Sequence, residues 1–196
     1  MFVKICGLST AAAVQAAVDG GADALGFVFA ESVRRVRPYD AAVLCRDVPA
    51  EIVRVAVMRH PRETEWAEVR DVFRPDWLQT DADDLEALDL GPACVALPVF
   101  RNAEVSARAD WPSPLLFEGS SSGSGQTADW QKAAAIAGRA DLILAGGLSV
   151  ANAAAAIATV APWGVDVSSG VESSPGTKDP EMIIDFIARA RAAERN

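Results

Sequence analysis

At 196 residues, 51% hydrophobic and 23% charged, the chain has the size and composition of one globular domain with a proper core. A net charge of −9 argues against a nucleic-acid partner and an anionic membrane surface. Any anion it binds must meet locally gathered positive charge, for which Arg34-Arg35-Val36-Arg37 is the candidate.

Short apolar strands alternate with alanine-rich amphipathic helices from end to end. Strand one is Phe2–Cys6. It begins straight after Met1, with no signal-peptide pattern. Its alternation puts Phe2, Lys4 and Cys6 on one face. Ser9-Thr10 caps a helix that Gly20-Gly21 stops. Strand two is Ala24–Phe29, and Pro38 opens a helix to about Cys45. Strand three, Ile52–Val57, leads past His60, read as a turn residue, to a helix over Arg62–Val72. Strand four, Trp77–Thr80, is followed by an acidic helical turn to about Leu88. Strand five is Cys94–Leu97, with a weak helix at about 103–108. Strand six is Leu115–Glu118, and the loop Gly119–Gly125 after it precedes a helix from Asp129-Trp130 to about Gly138. Strand seven is Leu142–Ala145. Ser149 then caps a helix through Ile157. Strand eight is Gly164–Val167, and the last helix runs from Pro180 to about Ala192.

Eight such pairs call for a parallel sheet, and the count points to a single α/β domain over residues 1–196: a small (β/α)8 TIM barrel of eight parallel strands. An open doubly wound sheet is the structural alternative. No apolar run approaches the ~20 residues of a membrane span. The three cysteines have neither metal-ligand nor CxxC spacing, which suits a reducing cytoplasm. A single histidine argues against a histidine triad or a metal cluster, so no metal is expected.

In a barrel of this kind the chemistry gathers at the carboxyl ends of the strands. Those ends carry Cys6, Arg34, Gln79, Glu118 and Asp166. Loops bearing Gly146-Gly147 and Ser169-Gly170 follow strands seven and eight, where barrels commonly hold phosphate. Lys4 needs a carboxylate partner if it is buried, and Asp166 is the natural one. A nearby cation is expected to lower the Cys6 thiol pKa and favour the basic thiolate. Cys6 and Glu118 can face each other across the barrel mouth, an arrangement suited to proton-shuttle isomerisation. The plainer alternatives are a packed cysteine and a solvated glutamate.

The motifs Lys4-Ile5-Cys6-Gly7-Leu8, Gly26-Phe27-Val28-Phe29 with Ser32-Val33-Arg34, and Leu78-Gln79 carry a resemblance, and later blocks continue it in order. These are Gly123-Ser124-Gly125 with Asp129-Trp130, Leu144–Leu148 with Asn152, Gly164–Glu172, Pro175-Gly176 and Lys178-Asp179. Together they resemble the phosphoribosylanthranilate isomerase family of tryptophan biosynthesis. The resemblance implies a cytoplasmic, cofactor-independent Amadori rearrangement of a small phosphorylated aminosugar by a monomer or homodimer. By that resemblance Cys6 is the general base and Glu118 the general acid. Arg34 holds the anthranilate carboxylate, Asp166 assists nearby, and loops around Gly123, Gly125, Gly146, Gly147, Ser169 and Gly170 cradle the phosphate. Lys4 and Gln79 are structural neighbours of the site. Two departures stand out. Glu118 replaces the family's usual aspartate, and Gln79-Thr80-Asp81-Ala82 lacks the family's histidine. They leave open a second reading, a slow or repurposed homologue that binds a phosphorylated sugar.

Overall fold

Every barrel strand is covered on both faces, so its side chains divide between two cores. Outward residues such as Val3, Ile5, Leu25, Phe27, Leu115 and Val165 pack with the helices in one large cluster. Inward residues Leu97, Val99, Leu116, Ile143 and Ala145 form a second, with Phe2 and Trp77 against it. Phe2 stacks on Trp77 and Trp163, with ring centroids 5.5 and 4.6 Å apart. These rings come from the amino-terminal ends of strands and close that end of the barrel.

The structure, a computed structural model, describes residues 1–101, 110–119 and 128–194. The barrel strands are β1 (Phe2–Cys6), β2 (Ala24–Val28), β3 (Val53–Val57), β4 (Trp77–Asp81), β5 (Val95–Arg101), β6 (Leu115–Glu118), β7 (Leu142–Leu144) and β8 (Gly164–Val167). They pair in chain order, and β8 closes on β1 in parallel with Lys4 beside Asp166. That closure excludes the open sheet. The helices are α1 (Ala11–Gly20), α2 (Pro38–Leu44), α3 (Glu63–Phe73), α4 (Trp130–Ala137), α5 (Ala153–Val160) and α6 (Pro180–Glu194). No helix among the described residues is long and apolar enough to cross a membrane.

The local signals explain most boundaries. The Thr10 hydroxyl accepts from the Ala13 N–H, and Gly21 ends α1 in the left-handed region. The Asp129 carboxylate accepts from the N–H groups of Gln131 and Lys132 at the start of α4. The acidic helical turn after β4 is a 3-10 turn, Ala82–Ala87. Three features differ from the sequence reading. β5 runs four residues past its expected end, through Pro98 to Arg101. The cap of α5 is Asn152, not Ser149. Its side chain accepts from the Ser149 N–H at 2.8 Å and donates to the Gly147 carbonyl at 2.9 Å, pinning the loop after β7. A small hairpin, β9 (Glu172–Ser174) and β10 (Thr177–Lys178), intervenes between β8 and α6. The helix expected at 103–108 lies outside the described residues.

The loops after β7 and β8 are fitted backbone to backbone. A Cβ on Gly170 would lie 1.9 Å from the Leu148 carbonyl oxygen and 2.9 Å from the Ser149 Cα. Gly170→Ala must therefore push the two loops apart. It is expected to cost about 1–3 kcal/mol of stability and to weaken binding of any ligand those loops hold. Thermal denaturation with and without inorganic phosphate checks both effects.

Candidate active site

The carboxyl ends of the strands surround a cleft of about 260 Å³. Cys6 from β1 and Glu118 from β6 both line it. So do Arg34, Gln79, Asp166, Gly146, Gly147 and Ser169. Gly170 stands behind this wall, packed on Leu148. Lys4 lies beneath, fully buried. Gly123 and Gly125 fall outside the described residues.

Cys6 sits at the end of β1, where the chain must turn sharply. Gly7 makes that turn at φ 76°, and a Cβ there would collide with the Arg34 side chain at 2.7 Å. The N–H groups of Gly7 and Leu8 both donate to the Gly26 carbonyl, at 2.9 and 3.1 Å. These bonds lock the turn against β2. Lys4, one inward position below Cys6, donates to Asp166 Oδ1 at 2.8 Å. The expectation of an acidified thiol is overturned. Burial pushes the Cys6 thiol above its ordinary value; Lys4 and Lys178 pull it down and Asp166 adds to the rise. The desolvation of a nearly closed site outweighs both ammonium groups. For Lys4 burial also opposes charge, but Asp166 and Cys6 win and the net shift is upward. Lys4 is thus held as an ammonium under the thiol.

Arg34 does not reach into the cleft as a free fork. Its Nε and Nη2 grip Glu172 at 2.7 and 2.9 Å, leaving Nη1 for a ligand. Glu172 also takes the Lys178 ammonium at 2.7 Å, and Lys178 donates onward to the Ser168 carbonyl at 2.8 Å. Burial alone would raise the Glu172 carboxyl, but the bonds from Arg34, Lys178 and the Gly176 N–H hold it at about 2. One ionised carboxylate therefore fixes two cations beside Cys6. It comes from the unexpected hairpin, which is why the sequence reading gave Glu172 and Lys178 no role.

The opposite rim carries a second network that the sequence reading missed. Arg101, at the end of the extended β5, pairs with Asp81 through Nη1 and with Glu118 through Nη2, the latter at 3.0 Å. Glu118, longer than aspartate by one methylene, folds against this guanidinium. Asp81 is the position at which the resemblance leads one to expect a histidine. It also meets the His60 ring, which lies 3.3 Å from Asp81 and 3.0 Å from Asp84. His60 is a turn residue at φ 46°, yet it is not isolated, since these three side chains stand close enough to share a cation. The site has a cationic side built on Glu172 and an alternating-charge side built on Arg101.

A family model described as N-(5'phosphoribosyl)anthranilate (PRA) isomerase matches residues 3–189. The chain belongs to this family. Curated family members match it over nearly its whole length. One from Roseiflexus sp. (strain RS-1) is 41% identical over 210 residues, covering 97% of this chain and 98% of that protein. One from Streptococcus pneumoniae serotype 19F is 42% identical over 193 residues, covering 96% and 95%. The crystal structure of phosphoribosyl anthranilate isomerase from Thermus thermophilus superposes with a TM-score of 0.85 at 32% identity, covering 98% and 99% of the two chains. A second isomerase of this family was solved in complex with reduced 1-(o-carboxyphenylamino)-1-deoxyribulose 5-phosphate. It matches with a TM-score of 0.79 at 26% identity over 98% and 99%. Membership in the isomerase family bears on the cleft as a whole. The roles of single side chains rest on the geometry above.

Proposed function

We infer that the chain catalyses the Amadori rearrangement of N-(5′-phosphoribosyl)anthranilate to 1-(2-carboxyphenylamino)-1-deoxyribulose 5-phosphate. The observation that carries this reading is the placement of Cys6 and Glu118, from β1 and β6, on one cleft between glycine loops and an arginine. Glu118 protonates the furanose ring oxygen, the C1′–O4′ bond breaks, and the anilinic nitrogen lone pair forms the iminium. Cys6, as thiolate, removes the C2′ proton to give the enolamine. Tautomerisation moves a proton from O2′ to C1′ and yields the ketone. Glu118 ends ionised and Cys6 ends protonated, so one proton must pass from thiol to carboxylate to reset the enzyme. Nothing is oxidised or reduced overall. Lys4 and Lys178 stabilise the thiolate against the burial that opposes it.

The substrate's two anions lie at its ends. The loops at Gly146-Gly147 and Ser169-Gly170 suit the phosphate, with backbone N–H groups as donors. Arg34 suits the anthranilate carboxylate through the part of its guanidinium that Glu172 does not use. Arg34→Ala is expected to raise KM for phosphoribosylanthranilate about ten- to a hundredfold with a smaller change in kcat. Unchanged kinetics would move the carboxylate pocket elsewhere. The family pairing also supports a cytoplasmic role in tryptophan biosynthesis.

The test of the whole reading is direct. Phosphoribosylanthranilate is generated in place from anthranilate and phosphoribosyl pyrophosphate, and the decay of its fluorescence is followed with and without the protein. Turnover well above the uncatalysed decay supports the reading. Absent turnover alongside tight binding of the reduced product analogue would instead favour a phosphosugar-binding homologue.

A further inference from the structure

Eight charged groups in and beneath the mouth of the barrel pair with one another. Lys4 has Asp166, Glu172 has Arg34 and Lys178, and Arg101 has Asp81 and Glu118. Gln79 breaks this pattern. It occupies an inward position of β4, is 7% exposed, and lines the cleft. Its Oε1 is buried and has no hydrogen-bond partner among the described residues. A buried carbonyl left without a donor destabilises the fold, whereas an apolar side chain of the same shape would not. The packing of β4 does not need an amide here. Its flanking residue Leu78 belongs to the outer core, and Thr80 hydrogen-bonds Asp84.

We propose that the Gln79 amide is a substrate-binding group, whose carbonyl accepts a hydrogen bond from an O–H or N–H of the bound aminosugar. This rests on the reading under Proposed function and adds a specificity residue to it. The acceptor character narrows the contact. A phosphate dianion and a carboxylate have no hydrogen to give, so neither end of the substrate satisfies Oε1. The position narrows it further. β4 lies across the closed barrel from β8, whose loop with that of β7 holds the glycines. A ligand anchored on that side extends across the cleft toward Gln79, and the donors it carries are the ribose hydroxyls and the N–H that joins sugar to ring. A site built to hydrogen-bond a substrate donor discriminates strongly, because the unpaired group is exposed to its own desolvation when the donor is missing.

The test uses Gln79→Met, close in shape and without the carbonyl, with Gln79→Leu as a second variant should the first misfold. Three readouts are taken: Tm, steady-state kinetics on phosphoribosylanthranilate, and binding of reduced 1-(o-carboxyphenylamino)-1-deoxyribulose 5-phosphate. The expected result is an unchanged or higher Tm with kcat/KM lower by about ten- to a hundredfold. If KM and analogue affinity carry the loss, a sugar hydroxyl is the donor. If kcat carries it, the donor is the N–H whose charge grows as the iminium forms. A lower Tm with kcat/KM within twofold of the parent makes Gln79 structural and overturns the proposal. If the parent protein shows no turnover, the proposed reaction fails, and analogue binding alone decides Gln79. Weaker binding by the variant upholds the contact, and equal binding, or no binding by either protein, overturns it.

Discussion

Cys6→Ala is expected to lower kcat about a hundred- to ten-thousandfold, the range that a positioned general base contributes, while the reduced product analogue still binds. Little else should change. The residue is small, it packs at the end of β1, and its turn is fixed by backbone bonds from Gly7 and Leu8 to Gly26 rather than by the thiol. The pH dependence distinguishes a base from a packing residue. Burial holds the Cys6 thiol above its ordinary value, so at neutral pH the thiolate is the minor form. In the parent enzyme the growth of the thiolate fraction with pH is opposed by the loss of the protonated Glu118 that ring opening needs, so activity should hold a plateau and then fall once pH passes the thiol's titration. Residual turnover of Cys6→Ala should lack this plateau. Near-normal turnover in the variant would move proton abstraction away from Cys6.

The same thiol marks the border between what could be read in the chain and what could not. Alternation on Phe2–Cys6 places Lys4 below Cys6, and that much holds in the barrel. The direction of the thiol shift depends on how much water the closed barrel excludes, which no spacing of residues reports. The strand count and the glycine loops after β7 and β8 are local patterns, so they were legible. Arg101 was not. It follows Pro98, and a proline inside an apolar run argues against a continuing strand. The parallel ladder nevertheless carries β5 through Pro98, with Thr80 as its register partner. Glu172 and Lys178 escaped for another reason. Glu172 meets Arg34, and Lys178 meets Glu172, only because a two-stranded hairpin turning at Pro175-Gly176 folds back beside Gly7. The pairing joins residues 138 positions apart.

Glu118→Gln is the second change expected to be severe, with kcat lower by about a hundredfold or more. The amide keeps the size and the acceptor oxygen that faces Arg101, yet it has no proton to give. The pairing with Arg101 sharpens the expectation. A guanidinium at 3.0 Å fixes the carboxyl in place, and it also competes with the proton that an acid must carry. Glu118→Asp shortens the arm and draws the carboxyl away from Arg101. It should retain activity or raise it, as aspartate is the family's usual residue at this point. Arg101→Met tests the same balance from the other partner. If Arg101 chiefly positions the acid, kcat falls and the Glu118→Gln and Arg101→Met losses are less than additive. If it chiefly restrains protonation, kcat at neutral pH rises and the acidic limb of the profile moves upward. Full activity in Glu118→Gln would remove both accounts. Asp166, which lines the same cleft, would then be the next candidate for the acid, with Asp166→Asn the variant that tests it.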